Sequence, residues 1–360
     1  MPAPKPLSIA IVSPSSSAPA MFPHVYAYGL RSIIEKLDSV VTEYPSTTEE
    51  ADQPHKAKDL MAAFADPEVE AIFATIGGDN QKDLIPLLKP GVFTANPKPF
   101  FGYSDNTHFH NYLWKLGVPS YYGGSVMTQF AMPGKTDEYT MKSVRSGLKN
   151  EKNIILKHAS TFAEGDANWN DEKFYFRQKR YLPAPTVEWD GTETVNGIAW
   201  GGCLESLCEI TEFPDAEKMK GIVLIIETSE EMPTAPKVQK MLKTLEKHKI
   251  LSQAAAVLVG IPKAESRMAE TSDGEKTTYR NAQHDIIKKT IRAYNSHAPI
   301  VLNLNFGHTD PQAIIPLGRP ILVDSYSKLV VLNYEKVIAP PKPKPEAAVV
   351  TDEETAYEEE

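Results

Sequence analysis

The chain has 360 residues, of which 41% are hydrophobic and 24% charged, and its 38 Lys and Arg against 47 Asp and Glu give a formal net charge of −9. This composition is typical of a folded, water-soluble protein, and the length is typical of two domains. The acidic balance argues against nucleic-acid binding, which needs clustered Lys and Arg. The apolar runs are too short to cross a bilayer. We therefore expect no nucleic-acid partner and no membrane segment.

The start of the chain and its cysteines bear on the compartment. One Lys precedes a short, mostly apolar stretch, Leu7–Val12, which is too short for the apolar core of a secretory signal. Cys203 and Cys208 cannot build a disulfide scaffold, and their C-x4-C spacing without a second pair is a poor zinc signature. We expect two small buried side chains here, no metal and a cytoplasmic protein.

The N-terminal half alternates strand-like and helix-like segments. Leu7–Val12 is a predicted strand, and apolar residues at helical spacing predict an amphipathic helix over residues 24–37. The order of strands and helices with short connections predicts a parallel sheet covered by helices on both faces. Ligands of such sheets bind beyond the carboxyl ends of the strands. Further strands are predicted at 39–43, 69–76 and 99–103, and further helices around Leu60, through Leu84 and Leu87, and over 104–116.

The alternation breaks down at residues 151–190, where polar segments indicate an inter-domain connection and a surface loop. The polar segment 263–278 is interpreted as a flexible insertion, and 339–360 is Pro-rich and then acidic, which predicts disorder. Between these limits the second half contains predicted strands at 195–200, 221–226, 255–260 and 321–324 and predicted helices at 235–248 and 282–294.

Ser104 lies between a predicted strand and a predicted helix in FFGYSDN. A Ser at such a turn exposes its hydroxyl at the carboxyl edge of the sheet, as in a nucleophile elbow, and Gly102 leaves room for the tight backbone. Asn106 stands where G-x-S-x-G has its second Gly. The alternative is that Ser104 only caps the helix, which Ser commonly does.

The Gly77-Gly78 pair of the GGDN loop follows a neighbouring predicted strand. Paired glycines allow a close backbone approach, so the N–H groups of Gly78 and Asp105 can form an oxyanion hole. A plain turn is the alternative. The chain lacks a G-x-G-x-x-G segment, and GKT at 134–136 lacks the upstream Gly of a P-loop, which disfavours dinucleotide binding and phosphoryl transfer.

Two further strand ends carry groups suited to acid-base chemistry. Glu227 follows an apolar run, and His308 stands in a Gly-bordered turn after VLNLN. A carboxylate at a sheet edge can orient an imidazole, and His is the usual general base near neutral pH. A solvated loop charge is the alternative for Glu227. Ser104, Glu227 and His308 follow the order Ser, acid, His of α/β-hydrolases, which favours a hydrolase.

The sequence resembles the LD-carboxypeptidase family of serine peptidases, and is closer to its microcin C self-immunity branch than to the shorter cell-wall enzymes. The resemblance covers about residues 7–338 and is carried by IAIVSPSS, ATIGGDN, FFGYSDNT, WGGCLESL, GIVLIIET and FGHTDPQAIIPLG. It implies a flavodoxin-like or Rossmann-like N-terminal domain (1–150), a smaller C-terminal α/β domain (191–338) and an active site between them. It also implies a Ser104-Glu227-His308 triad, a homodimer and no metal or organic cofactor.

Two departures from the family pattern leave the identity of the acid open. Thr228 stands where the family often has Asp, and residues 201–204 read GGCL where the family tends to have GGNL. Glu205 in that motif is therefore a rival acid, although the strand-end setting favours Glu227.

The substrate has two candidates: the LD-peptide bond of a cell-wall tetrapeptide, or the aminoacyl-nucleotide amide of microcin C type compounds. A nucleotide needs an aromatic stacking platform. Such a platform can come from Trp169, Phe174, Tyr175 and Trp189, for which core packing is the alternative. The other reading of the whole chain is a non-catalytic small-ligand-binding protein on the same fold, in which Ser104 caps a helix and His308 contacts the ligand.

Overall fold

The computed structural model describes residues 5–134, 136–265 and 271–335. In chain order the strands are β1 (Leu7–Val12), β2 (Ser39–Glu43), β3 (Ala71–Ala74), β4 (Phe100–Gly102), β5 (Ser120–Tyr122), β6 (Ile154–Ile155), β7 (Thr161–Phe162), β8 (Leu182–Pro183), β9 (Glu188–Asp190), β10 (Thr194–Cys203), β11 (Val223–Glu227), β12 (Ala256–Gly260), β13 (Ile300–Leu304), β14 (Ile315–Leu317), β15 (Pro320–Asp324) and β16 (Leu329–Leu332).

The α-helices are α1 (Ala18–Met21), α2 (Pro23–Leu37), α3 (Pro45–Thr48), α4 (Gln53–Ala65), α5 (Pro90–Ala95), α6 (Thr107–Lys115), α7 (Glu138–Leu148), α8 (Leu204–Leu207), α9 (Ala216–Met219), α10 (Ala235–Lys247), α11 (Ile250–Gln253) and α12 (Asp273–Tyr294). Short 3-10 turns lie at Gln81–Asp83, Ile85–Leu87, Ser104–Asn106 and Phe174–Phe176, and a π-helix at Val126–Phe130.

The first sheet has the strand order β14-β5-β4-β3-β1-β2, in which β1 to β5 are parallel and β14 is antiparallel. Alternate residues of β1 pack into different clusters: Ile9 and Ile11 belong to one, Ala10 and Val12 to another. A strand buried on both faces has a continuous apolar sequence, which is why Leu7–Val12 was recognisable. The predicted parallel sheet with two covered faces is confirmed.

The second sheet has the order β6-β16-β15-β10-β11-β12-β13-β9, and its centre, β10 to β13, is parallel. Strand β10 alternates in burial where it pairs antiparallel with β15, and is fully buried where it runs parallel to β11. Both edges of this sheet, β6 and β9, come from residues 151–190. That segment therefore supplies strands to the second sheet, while β14 from the second half completes the first.

Several predicted elements differ from the structure. The helix predicted through Leu84 and Leu87 is a pair of 3-10 turns, since Pro86 lacks the N–H that a continuous helix needs. The predicted insertion 263–278 overlaps α12, which begins at Asp273 behind a capping box of Ser272 and Glu275. Residues 266–270 and the predicted tail 339–360 lie outside the described residues. None of the described helices is long and apolar enough to cross a membrane.

The two halves meet where α6 packs on β10. The Trp114 indole donates to the Ala199 carbonyl at 3.0 Å, and the Cys203 N–H donates to Thr107 Oγ1 at 3.0 Å. A Cβ on Gly202 would lie 2.5 Å from Thr107 Oγ1, so only glycine permits this approach. The helix that begins behind Ser104 is thus fixed against the second sheet.

Candidate active site

Ser104 occupies a strained turn at the end of β4. Its φ is +63°, a left-handed conformation that is uncommon for a residue with a Cβ and is concentrated at functional sites. The 3-10 turn that begins at Ser104 is capped by Tyr103, and the N-cap of α6 is Asn106. The helix-cap alternative is therefore wrong, and the Ser104 hydroxyl is directed elsewhere.

Ser104, His308 and Glu227 form one hydrogen-bonded chain. The Ser104 Oγ lies 3.0 Å from His308 Nε2, and His308 Nδ1 lies 2.7 Å from Glu227 Oε2. Glu227 is the last residue of β11 and only 2% exposed, and His308 follows β13. A neutral imidazole that donates from Nδ1 to Glu227 presents its Nε2 lone pair to the Ser104 hydroxyl. The structure thus brings together the three residues that the sequence singled out.

Steric crowding explains why glycine occupies the middle position of the FGH segment. Gly307 has a φ of +91°, and a Cβ there would lie 2.6 Å from Glu227 Oε2. The buried Gln312 side chain donates to the Gly307 carbonyl and accepts from the Gly124 N–H at 3.1 Å. These contacts fix the turn that carries His308 against both Glu227 and the first sheet.

Charge around His308 favours its protonated form. Burial opposes that form, but the carboxylates of Glu227 and Glu230 outweigh burial and raise the pKa of His308 to about 10. Glu230 Oε2 lies 3.1 Å from His308 Nε2, the nitrogen that also faces Ser104. His308 Nε2 therefore faces both Ser104 and Glu230, and it can donate a hydrogen bond to Glu230 only when it carries a proton.

The GGDN loop lies directly against the Ser104 turn. A Cβ on Gly77 would be 2.8 Å from the Ser104 Cβ and 3.3 Å from the Asp105 nitrogen, and Gly78 is packed as closely against Ser15. The Asp105 carboxylate accepts from the Ser15 hydroxyl and from the Gln81 N–H, at 2.9 Å for the latter. The backbone beside Ser104 is therefore held rigidly, with Gly77, Gly78 and Asp105 together.

Glu205 is placed away from the imidazole. Its Oε1 accepts from the Ser229 N–H at 3.1 Å and from the Ser229 hydroxyl at 2.8 Å, and the Cys203 thiol lies 3.3 Å from its Oε2. Glu205 thus anchors the loop after β11. Among the two candidate acids, Glu227 is the one in contact with His308.

Of the four aromatic residues proposed as a stacking platform, Phe174 and Tyr175 contact each other, with ring centroids 5.8 Å apart. Trp169 packs edge-on against Phe22, with ring centroids 5.4 Å apart, while Phe174 is buried core. Tyr175 stacks on Tyr28. Trp189 lies on edge strand β9 and lines a cavity of about 450 Å³ whose walls include none of the three residues of the Ser104 chain.

Sequence reasoning missed three residues that contact the hydrogen-bonded chain of Ser104, His308 and Glu227. The Tyr103 ring packs edge-on against His308 at 5.0 Å between centroids, the Tyr122 hydroxyl bonds Glu227, and Glu230 faces His308. For Tyr122 a signal was available in the aromatic run before Gly123, which forms β5 and ends at the same sheet edge as β4. In the part of the chain that the structure describes, no three or more His, Cys, Asp or Glu side chains are grouped so that they could hold a metal ion.

The connecting segment is attached beside His308. Ala163 and Asp310 exchange two backbone hydrogen bonds, and Lys179 forms an ion pair with the Asp310 carboxylate. Trp169 and Tyr175 of the same segment contact the first half through Phe22 and Tyr28. Residues 151–190 therefore bridge both halves close to the candidate site.

Comparisons with known proteins agree with this architecture. Residues 9–123 match the family model of the LD-carboxypeptidase N-terminal domain, and residues 196–323 match that of the LD-carboxypeptidase C-terminal domain. The Bacillus subtilis protein YocD, which is provisionally assigned as a carboxypeptidase, is 29% identical over 332 residues. The match covers 89% of this chain and 94% of YocD. The microcin C7 self-immunity protein MccF of Escherichia coli is 24% identical over 278 residues, 76% of each chain.

Solved structures show the same fold. The MccF-like protein from Streptococcus pneumoniae, crystallised with AMP, has a TM-score of 0.79 and 26% identity, covering 92% of this chain and 100% of that one. MccF bound to aspartyl sulfamoyl adenosine has a TM-score of 0.79 and 20% identity, covering 93% and 98%. The α/β fold and the assignment as a serine carboxypeptidase or amide hydrolase are confirmed, and the chain belongs to the LD-carboxypeptidase family.

Proposed function

We propose that this protein hydrolyses an amide bond by acyl transfer to Ser104, with His308 as general base and Glu227 as the residue that orients it. The hydrogen-bonded chain from Ser104 Oγ through His308 to Glu227 carries this proposal. As Oγ attacks the carbonyl carbon, His308 Nε2 takes the hydroxyl proton, and it then gives that proton to the leaving nitrogen. His308 Nε2 then takes a proton from water as the water oxygen attacks the acyl-enzyme ester, and it returns that proton to Ser104 Oγ as the ester bond breaks and the acyl group leaves.

The N–H groups of Gly78 and Asp105 are the proposed donors to the tetrahedral oxyanion. Gly77 brings the GGDN backbone against the Ser104 turn, and the Asp105 N–H lies at the start of the 3-10 turn, where backbone donors lack partners within the turn. Donors fixed in advance at such a position stabilise developing charge without reorganising.

The substrate is either an LD-peptide, from which a terminal D-Ala leaves, or an aminoacyl nucleotide. The family description supports the first, and the AMP and aspartyl sulfamoyl adenosine found in similar proteins support the second. For a nucleotide, Trp169 is the proposed stacking ring, because its segment adjoins His308. Trp189 stays a prediction that no contact of this structure supports.

Mass spectrometry distinguishes these substrates. The protein is incubated separately with an LD-tetrapeptide and with aspartyl sulfamoyl adenosine, and a fluorophosphonate probe reports on Ser104. Cleavage of either compound together with labelling at Ser104 supports the proposal and identifies the class. If neither compound is cleaved and Ser104 is not labelled, the proposed acyl transfer to Ser104 is overturned, and the result favours the small-ligand-binding alternative.

The rate should rise with pH through the neutral range. Only neutral His308 can act as a base, so a raised His308 pKa moves the acid limb of the pH profile of kcat/KM to higher pH. With a His308 pKa of about 10, the rate should climb between pH 7 and 10. Glu230→Gln removes one carboxylate that favours the imidazolium. We expect the limb to move down by about 1 unit, with a roughly tenfold gain in kcat/KM at pH 7.

Glu231→Gln is the matched control, because Glu231 lies on the same loop but is exposed. Its pH profile should match that of the unaltered protein. A Glu230→Gln profile that coincides with both would show that Glu230 does not influence His308.

A homodimer in the cytoplasm completes the proposal. The family resemblance supports the dimer, and the two free thiols, Cys203 and Cys208, are typical of a reducing compartment. Light scattering of the purified full chain tests the dimer.

A further inference from the structure

We propose that Tyr122 is a positioning residue that couples the nucleophile to the acid, by accepting a hydrogen bond from the Ser104 N–H and donating one to Glu227 Oε1. The inference rests on the proposed function, since it assigns Tyr122 a part in the same reaction. The phenol oxygen lies 3.0 Å from the Ser104 nitrogen and 2.6 Å from Glu227 Oε1. One oxygen thus contacts both ends of the chain that passes through His308.

The direction of the two hydrogen bonds follows from their chemistry. A backbone N–H can only donate and a carboxylate can only accept, so the Tyr122 hydroxyl must accept from Ser104 and donate to Glu227. Burial, together with the charge of Glu227 and the neighbouring Cys203, raises the pKa of Tyr122 well above its usual value. The phenol therefore keeps its proton and its donor role.

The hydrogen bond between Tyr122 and the Ser104 N–H helps to hold the strained turn in its conformation. A non-glycine residue at a φ of +63° persists only when its surroundings hold it there. The Tyr122 hydroxyl is the hydrogen-bond acceptor of the Ser104 N–H. This bond fixes the backbone that aims Oγ at His308.

The ring that carries this hydroxyl is itself held firmly. Tyr122 is fully buried at the end of β5, beside the rings of Tyr103 and His110. His110 bonds both the Gly102 carbonyl of β4, at 2.9 Å, and the Ser120 hydroxyl of β5, at 2.7 Å. The two strands that deliver Ser104 and Tyr122 are thereby tied together.

The contact with Glu227 tunes His308. Glu227 shares its charge between the Tyr122 hydroxyl on one oxygen and His308 on the other. Removing the phenol donor leaves more of that charge to stabilise the imidazolium, so the pKa of His308 should rise further. The other groups facing His308 are Ser104, the Tyr103 ring and Glu230, with the Asp310 and Lys179 ion pair two residues along the chain.

Tyr122→Phe tests the proposal, because it removes the hydroxyl and keeps the ring. We expect kcat to fall about 10- to 100-fold, with KM within about twofold, as for the loss of a hydrogen bond to a charged group. The acid limb of kcat/KM should move to higher pH. Tyr121→Phe is the matched control: Tyr121 is the preceding residue on β5, is equally buried, and its hydroxyl meets the Tyr334 carbonyl at 3.4 Å, away from the triad.

A readout independent of turnover separates this proposal from the proposed function. The downfield N–H proton of His308 is titrated by NMR in the unaltered protein, Tyr122→Phe and Tyr121→Phe, with melting temperatures measured alongside. A raised His308 pKa in Tyr122→Phe alone supports the coupling, even if no substrate is turned over. An unchanged His308 pKa, or an equal change in Tyr121→Phe, overturns it; hydrolysis that survives Ser104→Ala overturns the proposed function instead.

Discussion

Replacing Ser104 or His308 by alanine should abolish nearly all hydrolysis while leaving the protein folded. Without Oγ no acyl-enzyme forms, and without the imidazole the hydroxyl keeps its proton. Members of such a triad act as a unit, so each change should lower kcat by roughly 10⁴-fold or more, the remainder coming from binding and the oxyanion donors. Alanine at a φ of +63° is no more strained than serine, so the turn should persist in Ser104→Ala.

The measurement is steady-state hydrolysis of whichever amide substrate the protein cleaves, with circular dichroism and melting temperature as checks on folding. His308→Ala leaves the buried Glu227 without its imidazole, so some loss of stability accompanies the loss of activity. Ser296→Ala and His297→Ala are matched controls, since both residues are exposed on the loop after α12. Undiminished hydrolysis by Ser104→Ala would rule out the serine mechanism.

The elements that the sequence predicted well are those whose burial is repetitive. Leu7–Val12 and Ser39–Glu43 were predicted to the residue, and the helix predicted over 24–37 is α2, Pro23–Leu37. A strand covered on both faces shows an unbroken apolar run, and a helix covered on one face shows apolar residues every three or four positions. In these segments the local pattern and the tertiary packing require the same residues.

Short edge strands were not predictable in the same way. β6 has two residues, and β9 and β14 have three each, which is too few for a periodic signal. β14 pairs with β5 across more than 190 positions of the chain, so its partner is decided by the approach of the two halves. The start of α12 did carry a local signal, the Ser272 and Glu275 capping box, but its polar residues also suit a loop.

The candidate site was predictable where each residue follows an apolar run. Ser104 stands shortly after β4, Glu227 is the last residue of β11, and His308 stands shortly after β13. Strand prediction alone therefore placed all three near the carboxyl edges of the sheets. Tyr122 acquires its contact with Glu227 only when the two sheets meet, and Glu230 reaches His308 from the irregular loop after β11, which carries no periodic signal. Glu205 was the opposite case, because its motif suggested a functional acid while its bonds anchor Ser229.

Glu227→Gln should be the most severe single change after those at Ser104 and His308. Exchange of the acid for its amide in a serine triad lowers kcat by about 10⁴-fold, because the amide no longer enforces the tautomer that frees Nε2 and no longer stabilises the imidazolium. Here Glu227 Oε2 is 2.7 Å from His308 Nδ1, and its charge helps to raise the pKa of His308. The residual activity should therefore show an acid limb at lower pH.

Glu205→Gln is the decisive partner experiment, because the sequence left Glu205 as a rival acid although the strand-end setting favoured Glu227. A glutamine at 205 keeps an oxygen to accept from the Ser229 N–H and hydroxyl, so the loop after β11 should stay anchored and kcat should change only a few-fold. His308 has no bond to Glu205, so the acid limb should not move. A pattern in which Glu205→Gln is the more damaging change would reassign the orienting acid, since only the carboxylate that touches the imidazole can alter both rate and tautomer.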